Sequence, residues 1–286
     1  MSARVTMLRV GALVLVVGQA CQPPVAPTVA ASPALEIPLL DAGADSSPRT
    51  TDGVRFAHPV PHTGTSWRVV THASSRAEDP QGGEQLSTFE SEVRIEIVAV
   101  DGPAPSRVRM RFVRNVQTYQ GAEKPTVLDG KEYFVDARAP HVRDMTNAPA
   151  PPDETQRVLD VFPDLGTRSR IDEVLPDDEM RIGEQRDELA AAVLRVIHPR
   201  AWTLHAGSAT LARVERDAQQ AVFKLSLDAS SEGGLRMKVT GEARVGLNDA
   251  QLAELVLDGT YATKTDAGAT EPPGTFSLRR KVTWDR

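Results

Sequence analysis

The chain has 286 residues, of which 33 are Lys or Arg and 39 are Asp or Glu, so its formal net charge at pH 7 is −6. This acidic balance argues against general nucleic-acid binding, because such binding depends on basic side chains that neutralise phosphates. The single cysteine excludes a disulfide scaffold and a metal site built from several thiolates.

The N-terminal segment has the layout of a secretory signal. Arg4 and Arg9 precede an apolar run over residues 10–18, which is too short for a membrane-spanning helix. Cys21 follows small residues, and the segment resembles a bacterial lipobox, although Gly18 stands where that pattern prefers Leu. The resemblance implies that residues 1–20 are a signal peptide and that Cys21 is lipidated and becomes the mature N-terminus.

Two alternatives remain for this segment. An ordinary signal peptidase could cut before Cys21 and release a secreted protein, or the apolar run could stay as an N-terminal membrane anchor. The lipoprotein is favoured because the only cysteine lies where the lipobox needs it. Gln22 rather than Asp follows it, and by analogy this predicts an outer-membrane lipoprotein of the cell envelope, facing the periplasm or the surface.

Residues 21–53 are rich in Pro, Ala and Ser and lack a helical or strand period. Such a composition buries too little apolar surface to fold, so this segment is predicted to be a disordered tether after the lipidated cysteine. Removal of residues 1–20 takes away Arg4 and Arg9 and no acidic residue, which changes the net charge from −6 to −8.

Residues 54–286 are predicted to form a single antiparallel β domain, because apolar and polar residues alternate in many segments. The clearest example is 235–245, where Leu235, Met237 and Val239 alternate with basic and polar residues. Further strands are predicted around 67–72, 93–97, 107–112 and 133–135 and over 209–215, 221–228, 252–263 and 275–284.

A helical insert is predicted over about 152–198, with one helix over Thr155–Phe162 and a second over Glu184–Ile197. Pro163 and Pro199 end these helices. The fold class is therefore mainly β (α+β), a long curved antiparallel sheet or part-barrel with a two-helix insert in the middle of the chain.

This layout is similar to the lipoprotein-carrier superfamily of bacteria, in which a curved antiparallel sheet wraps over helices and several members carry acyl chains. The chain also resembles a family of uncharacterised bacterial lipoproteins through the segment 175–184 (LPDDEMRIGE) and the blocks 207–211 and 255–259. The aromatic residue expected after Gly183-Glu184 is replaced by Gln185-Arg186. The family implies no catalytic residues.

The sequence lacks the common motifs of catalysis and cofactor binding. It contains no G-x-S-x-G pentapeptide and no glycine-rich nucleotide loop. His58 and His62 have the spacing of a helical zinc site, but Pro59 and Pro61 lie between them and prevent a helix. The chain is therefore predicted to be a non-enzymatic protein without a cofactor or a resident metal.

Two charge clusters have alternative interpretations. The acidic group Asp172, Glu173 and 177–179 is a solvated loop or a weak site for a cation or basic partner. A row of arginines is either the solvent-exposed face of a strand or a surface that binds a partner or a lipid headgroup. It consists of Arg107, Arg109, Arg111 and Arg114.

The predicted function is non-catalytic binding, with a hydrophobic or lipid ligand held between sheet and helices. The candidate ligand-binding residues are Val108, Met110, Phe112, Leu189, Val193, Met237 and Val239, and for each of them plain core is the favoured alternative. The alternative is a protein–protein scaffold of the envelope without a cavity.

Arg280 is the eighth candidate, because it shares a strand period with Phe276, Leu278 and Val282, which look buried. Two placements remain open. Either a bulge turns it outward, or it lies inside, where it would line a cavity mouth and could hold an anionic headgroup, or would form a buried pair.

Overall fold

A computed structural model of the chain describes residues 53–78, 83–138, 141–198, 202–263 and 273–285. The predicted signal peptide, Cys21 and nearly all of the predicted tether lie outside these described residues. Within them, no helix is both long enough and apolar enough to cross a bilayer.

The described residues form thirteen strands and three helices. The strands are β1 (Gly53–Val54), β2 (Ser66–Glu78), β3 (Glu84–Asp101), β4 (Ala104–Tyr119), β5 (Ala122–Pro125), β6 (Glu132–Asp136), β7 (His141–Asp144), β8 (Met180–Arg181), β9 (Trp202–Glu215), β10 (Gln220–Ser231), β11 (Leu235–Gly246), β12 (Leu252–Thr263) and β13 (Gly274–Asp285). The helices are α1 (Pro152–Val161), α2 (Arg170–Val174) and α3 (Asp187–Ile197).

Eleven of these strands form one antiparallel sheet that is not closed into a barrel. Its order is β7-β6-β4-β3-β2-β13-β12-β11-β10-β9, with β5 paired to β4, while β1 and β8 form a separate small sheet. The C-terminal strand β13 pairs with β2, so the strands before and after the helical segment join at the middle of the sheet. The structure confirms the predicted fold class, a mainly β protein with one long antiparallel sheet and few helices.

Several β-bulges interrupt the register of the long strands. They occur between β9 and β10, between β11 and β12, and three times between β3 and β4. A bulge bends its strand and increases the local twist, so these irregularities let strands of up to 18 residues curve around the helices.

The helices begin and end close to the predicted positions. Helix α1 starts at Pro152, where the fixed φ of proline suits a first helical turn. Helix α3 starts at Asp187, later than predicted, because Glu184 and Arg186 make backbone hydrogen bonds to Leu211 and Ala209 of β9. The five-residue helix α2 is an addition to the predicted two-helix insert, since a segment of one and a half turns carries no readable helical period.

Two apolar clusters lie between the sheet and the helices. The first lies under α2 and α3 and is formed mainly by strands β9–β13. The second lies under α1 and is formed by strands β2, β3, β4, β6 and β7. Strands β2 and β13 contribute to both clusters. Ala73 and Leu278 belong to the first cluster. Val69 belongs to the second, and Val282 packs against it.

Candidate ligand cavity

A row of four polar side chains runs across the inner face of the sheet between the two apolar clusters. Asn115 on β4 lies opposite Ser91 on β3, Ser91 lies opposite Thr71 on β2, and Thr71 lies opposite Arg280 on β13. Inner-face positions of such a sheet are usually apolar, because they build the core. We call these four residues the polar row.

One end of the polar row is hydrogen-bonded within the protein. The Asn115 amide donates to the Ser91 hydroxyl at 2.9 Å, and the Thr126 hydroxyl donates to the Asn115 side-chain oxygen at 2.5 Å. The backbone N–H of Asn115 donates to Asp129 at 2.6 Å. These bonds fix the Asn115 and Ser91 side chains, as buried polar groups require.

A cavity of about 70 Å³ lies between the polar row and the helices α1 and α3. Its floor is the polar row, and its walls combine apolar side chains from both clusters with polar groups of the loops and of α1. The other lining residues are Val69, Phe89, Val93, Gln117, Thr126, Leu128, Arg157, Asp160, Val161, Val196, Ile197 and Leu278.

Arg280 extends its guanidinium toward this cavity. Strand β13 pairs with both neighbours without a register shift, so Arg280 stays on the face of Phe276 and Leu278. Of the two predicted placements, the structure therefore shows the inward one. Its Nε is buried and has no hydrogen-bond partner, and no acidic side chain in the described ranges forms an ion pair with it.

Burial has a limited effect on the charge of Arg280. Loss of water contact lowers the pKa of the guanidinium to about 10, because a low-dielectric surrounding disfavours the charged form. A group with this pKa still carries its proton at pH 7. The cavity lining therefore includes a half-buried, positively charged side chain that forms no ion pair with any described residue.

Helix α1 supplies the other charged groups of the cavity. Arg157 and Asp160 both line it, and the buried Asp160 carboxylate accepts a hydrogen bond from Gln156 at 3.0 Å. Two arginines against one aspartate leave the lining with a formal charge of +1.

Glu154 fixes the start of α1 on the sheet. Its carboxylate accepts hydrogen bonds from Lys131 at 2.6 Å and from the Tyr133 hydroxyl at 2.5 Å. Burial, together with the bond to Glu154, raises the pKa of Tyr133 well above its usual range. Tyr133 therefore stays a neutral donor and holds the helix that carries Arg157 and Asp160.

The seven apolar residues predicted to line a ligand site lie in the two cores, and none of them lines this cavity. Val108, Met110 and Phe112 belong to the cluster under α1 and are fully buried. The other four belong to the cluster under α2 and α3, namely Leu189, Val193, Met237 and Val239. Arg280 alone among the predicted ligand-binding residues lines the cavity.

Sequence reasoning did not identify Thr71, Ser91, Asn115 and Asp160 as site residues. Thr71 and Ser91 could have been noticed as polar residues at inner positions of otherwise apolar strand faces. Asn115 had no such signal, because a bulge between Glu92 and Val93 shifts the register of β4 just before it. Asp160 lies on a helix whose orientation over the sheet cannot be read from its period.

Some members of the two charge clusters noted in the sequence form ion pairs. Asp172 contacts both His58 and Arg168, and in the described part of the chain no three His, Cys, Asp or Glu side chains are placed to hold a metal ion. On the arginine row, Arg107 bonds Asp136 at 2.5 Å and Arg114 bonds Glu90 and Glu123, each at 2.9 Å.

Comparisons with known proteins give little guidance. No family model matches the chain, and no curated protein matches it. Among solved structures, DynF from the dynemicin biosynthesis pathway of Micromonospora chersina is 9% identical, with 86% of this chain and 92% of that chain covered and a TM-score of 0.20. The S-type phycobiliprotein lyase CPES from Guillardia theta is 11% identical, with 78% and 88% covered and a TM-score of 0.21. TM-scores this low do not define a shared fold.

Proposed function

We propose that this chain is an exported, lipid-anchored protein of the bacterial cell envelope that binds a ligand without catalysing a reaction. The observation that carries the binding role is the cavity between the polar row and the helices α1 and α3. Protein cores are normally close-packed, and a bound molecule in this void could contact the unpartnered Nε of Arg280.

The lining supports a binding role through its chemistry. Hydroxyl and amide groups of Thr71, Ser91 and Asn115 stand beside apolar walls such as Val69 and Leu278. A few placed polar groups in a mainly apolar concave site orient a ligand, while the apolar walls supply affinity.

The volume restricts which ligands fit. Sites for drug-sized ligands enclose about 300–1,000 Å³, whereas this cavity measures about 70 Å³. The cavity as it stands therefore accommodates a small molecule or one end of a larger one, and not a whole acyl chain. The hydrophobic or lipid ligand predicted from the sequence is therefore restricted to molecules of this size, or to those that insert only one end.

The envelope location in this proposal rests on the N-terminal sequence. Arg4, Arg9, the apolar run and the small residues before Cys21 support export and lipidation. The membrane would then be contacted through the lipid, since a net charge of −8 after cleavage does not favour attraction of the domain to an anionic bilayer.

The binding role is tested by closing the cavity. Thr71→Phe places a ring in the cavity without removing any hydrogen bond in the described structure, and His72→Phe places the same ring on the exposed outer face of β2 as a control. We expect the wild type and His72→Phe to retain a bound molecule in native mass spectrometry, and Thr71→Phe to lose it. No bound molecule in any of the three would contradict the proposal.

A further inference from the structure

We infer that the ligand of this cavity is a small organic monoanion, a short-chain carboxylate, whose carboxylate group pairs with the guanidinium of Arg280. This inference rests on the proposed binding function and specifies the chemistry of its ligand. It follows from three observations, which concern the charge of the cavity, its hydrogen-bonding groups and its size.

The half-buried charge of Arg280 favours a counter-ion in the cavity. A buried charge is costly unless it is paired and hydrogen-bonded. Arg280 has a buried Nε without a partner and no ion pair among the described residues. Asp160 does not fill this role, because it forms no ion pair with Arg280 and already accepts a hydrogen bond from Gln156. A bound anion would supply the missing partner.

The shape of the guanidinium selects a carboxylate. Its planar fork presents parallel N–H donors that match the two oxygens of a carboxylate group. Thr71 lies directly opposite Arg280 on the next strand and adds a hydroxyl donor on the same face. Inorganic phosphate fits less well, because it brings more than one negative charge to a lining whose formal charge is +1 and whose walls are largely apolar.

The size of the cavity limits the rest of the ligand. A void of about 70 Å³ has room for about five water-sized volumes, if each takes roughly 15 Å³. The apolar side chains of Val69, Val93 and Leu278 face this space. A carboxylate with a short apolar tail, of the size of butyrate, matches both the volume and the walls.

Calorimetric titration of the full chain, purified in a neutral detergent and freed of bound molecules, tests this inference. The probes are butyrate, the neutral isostere butyramide, dodecanoate and inorganic phosphate. The variants are Arg280→Met and its matched control Arg279→Met, which changes the neighbouring residue on the exposed outer face of β13. Arg280→Lys serves as a second variant, which keeps the positive charge but lacks the parallel N–H donors of the guanidinium.

We expect butyrate to bind the wild type, and butyramide to bind much more weakly or not at all. Arg280→Met should weaken butyrate binding by on the order of 30-fold or more, because it removes one partner of a buried charge pair. Arg280→Lys should weaken it less, and Arg279→Met should leave it unchanged.

Other outcomes overturn the inference in distinguishable ways. Equal binding of butyrate and butyramide, or unchanged binding in Arg280→Met, excludes an anion held by Arg280. Tighter binding of phosphate excludes a carboxylate, and tighter binding of dodecanoate excludes the short-chain class. If no probe binds, the inference fails, while a molecule retained by the freshly purified protein and lost in Thr71→Phe leaves the proposed function standing.

Discussion

Arg280 and Thr71 are direct neighbours across β13 and β2, and both side chains face the cavity between the sheet and the helices. On the same two strands, Leu278 and Ala73 join one apolar cluster, whereas Val69 and Val282 pack in the other. The Arg280–Thr71 pair therefore marks the place where the core is divided. At this boundary Arg280 and Thr71 line the cavity.

The unpaired charge of Arg280 predicts a gain in stability when it is removed. A buried donor without a hydrogen-bond partner costs about 1–3 kcal/mol, and the Nε of Arg280 is such a donor. We expect Arg280→Met to raise the free energy of unfolding of the ligand-free protein by about 2 kcal/mol. Urea denaturation followed by circular dichroism measures this change.

The control for this prediction is Arg279→Met, which alters an exposed side chain and should change stability by no more than about 0.5 kcal/mol. A marked destabilisation by Arg280→Met alone would show that Arg280 has a stabilising partner in the ligand-free protein. Its charge would then not be free to pair with a ligand.

The Tyr133–Glu154 hydrogen bond predicts a stability effect of opposite sign. Tyr133→Phe removes one of two donors from a buried carboxylate, so the free energy of unfolding should fall by about 1–3 kcal/mol. Tyr119→Phe removes a hydroxyl for which the described structure shows no hydrogen bond, and it should have little effect. Equal urea midpoints for the two variants would contradict a role of Tyr133 in fixing α1.

His198 predicts a dependence of stability on pH. Its ring is buried, stacks on Trp202 with ring centroids 4.1 Å apart and has a pKa lowered by burial to about 3. A histidine in the unfolded chain has a pKa of about 6.5. Between pH 6.5 and pH 3 the unfolded state therefore binds a proton that the folded state does not bind. The contribution of this group is complete above about pH 6.5 and decreases as the pH falls toward 3, by at most about 1.4 kcal/mol per pH unit.

The variant His198→Phe keeps an aromatic ring and removes the titration. The difference in free energy of unfolding between wild type and variant should therefore shift in favour of the variant as the pH is lowered from 7 to 4. His72→Phe, at an exposed position of β2, should follow the wild-type curve. Parallel curves for wild type and His198→Phe would contradict a neutral buried His198.

The proposed lipid anchor makes a prediction for the N-terminus. Cys21→Ala removes the thiol that would carry the lipid, so the protein should leave the membrane fraction and lose labelling by a fatty-acid analogue. Replacement of another N-terminal residue, Gln22→Ala, should leave both properties unchanged. Continued labelling of Cys21→Ala would contradict lipidation at this residue.

Much of the fold could be predicted from the sequence, because period-2 alternation and helical stripes are local properties. Segment 235–245 and helix α3 are clear examples. The helix orientations and the strand order are not local, and they decide which inner-face residues meet. For this reason Val108 and Leu189 were correctly placed inside, but nothing in their own segments could show that they belong to two different clusters.

Arg280 was recognisable because it breaks the apolar period of its own strand. The polar row as a whole was not recognisable, since its four members lie on four strands separated by up to 209 positions in sequence, from Thr71 to Arg280. The row exists because β13 returns to pair with β2. Chain topology, and not any local motif, therefore assembles the candidate site.

The proposed function requires that the cavity beside Arg280 holds a ligand. Native mass spectrometry of the full chain, purified from the cell envelope as wild type, Thr71→Phe and His72→Phe, tests it most directly. We expect a bound small molecule in the wild type and in His72→Phe, and none in Thr71→Phe. A folded wild-type protein without a bound molecule, or a molecule retained equally by Thr71→Phe, would contradict it.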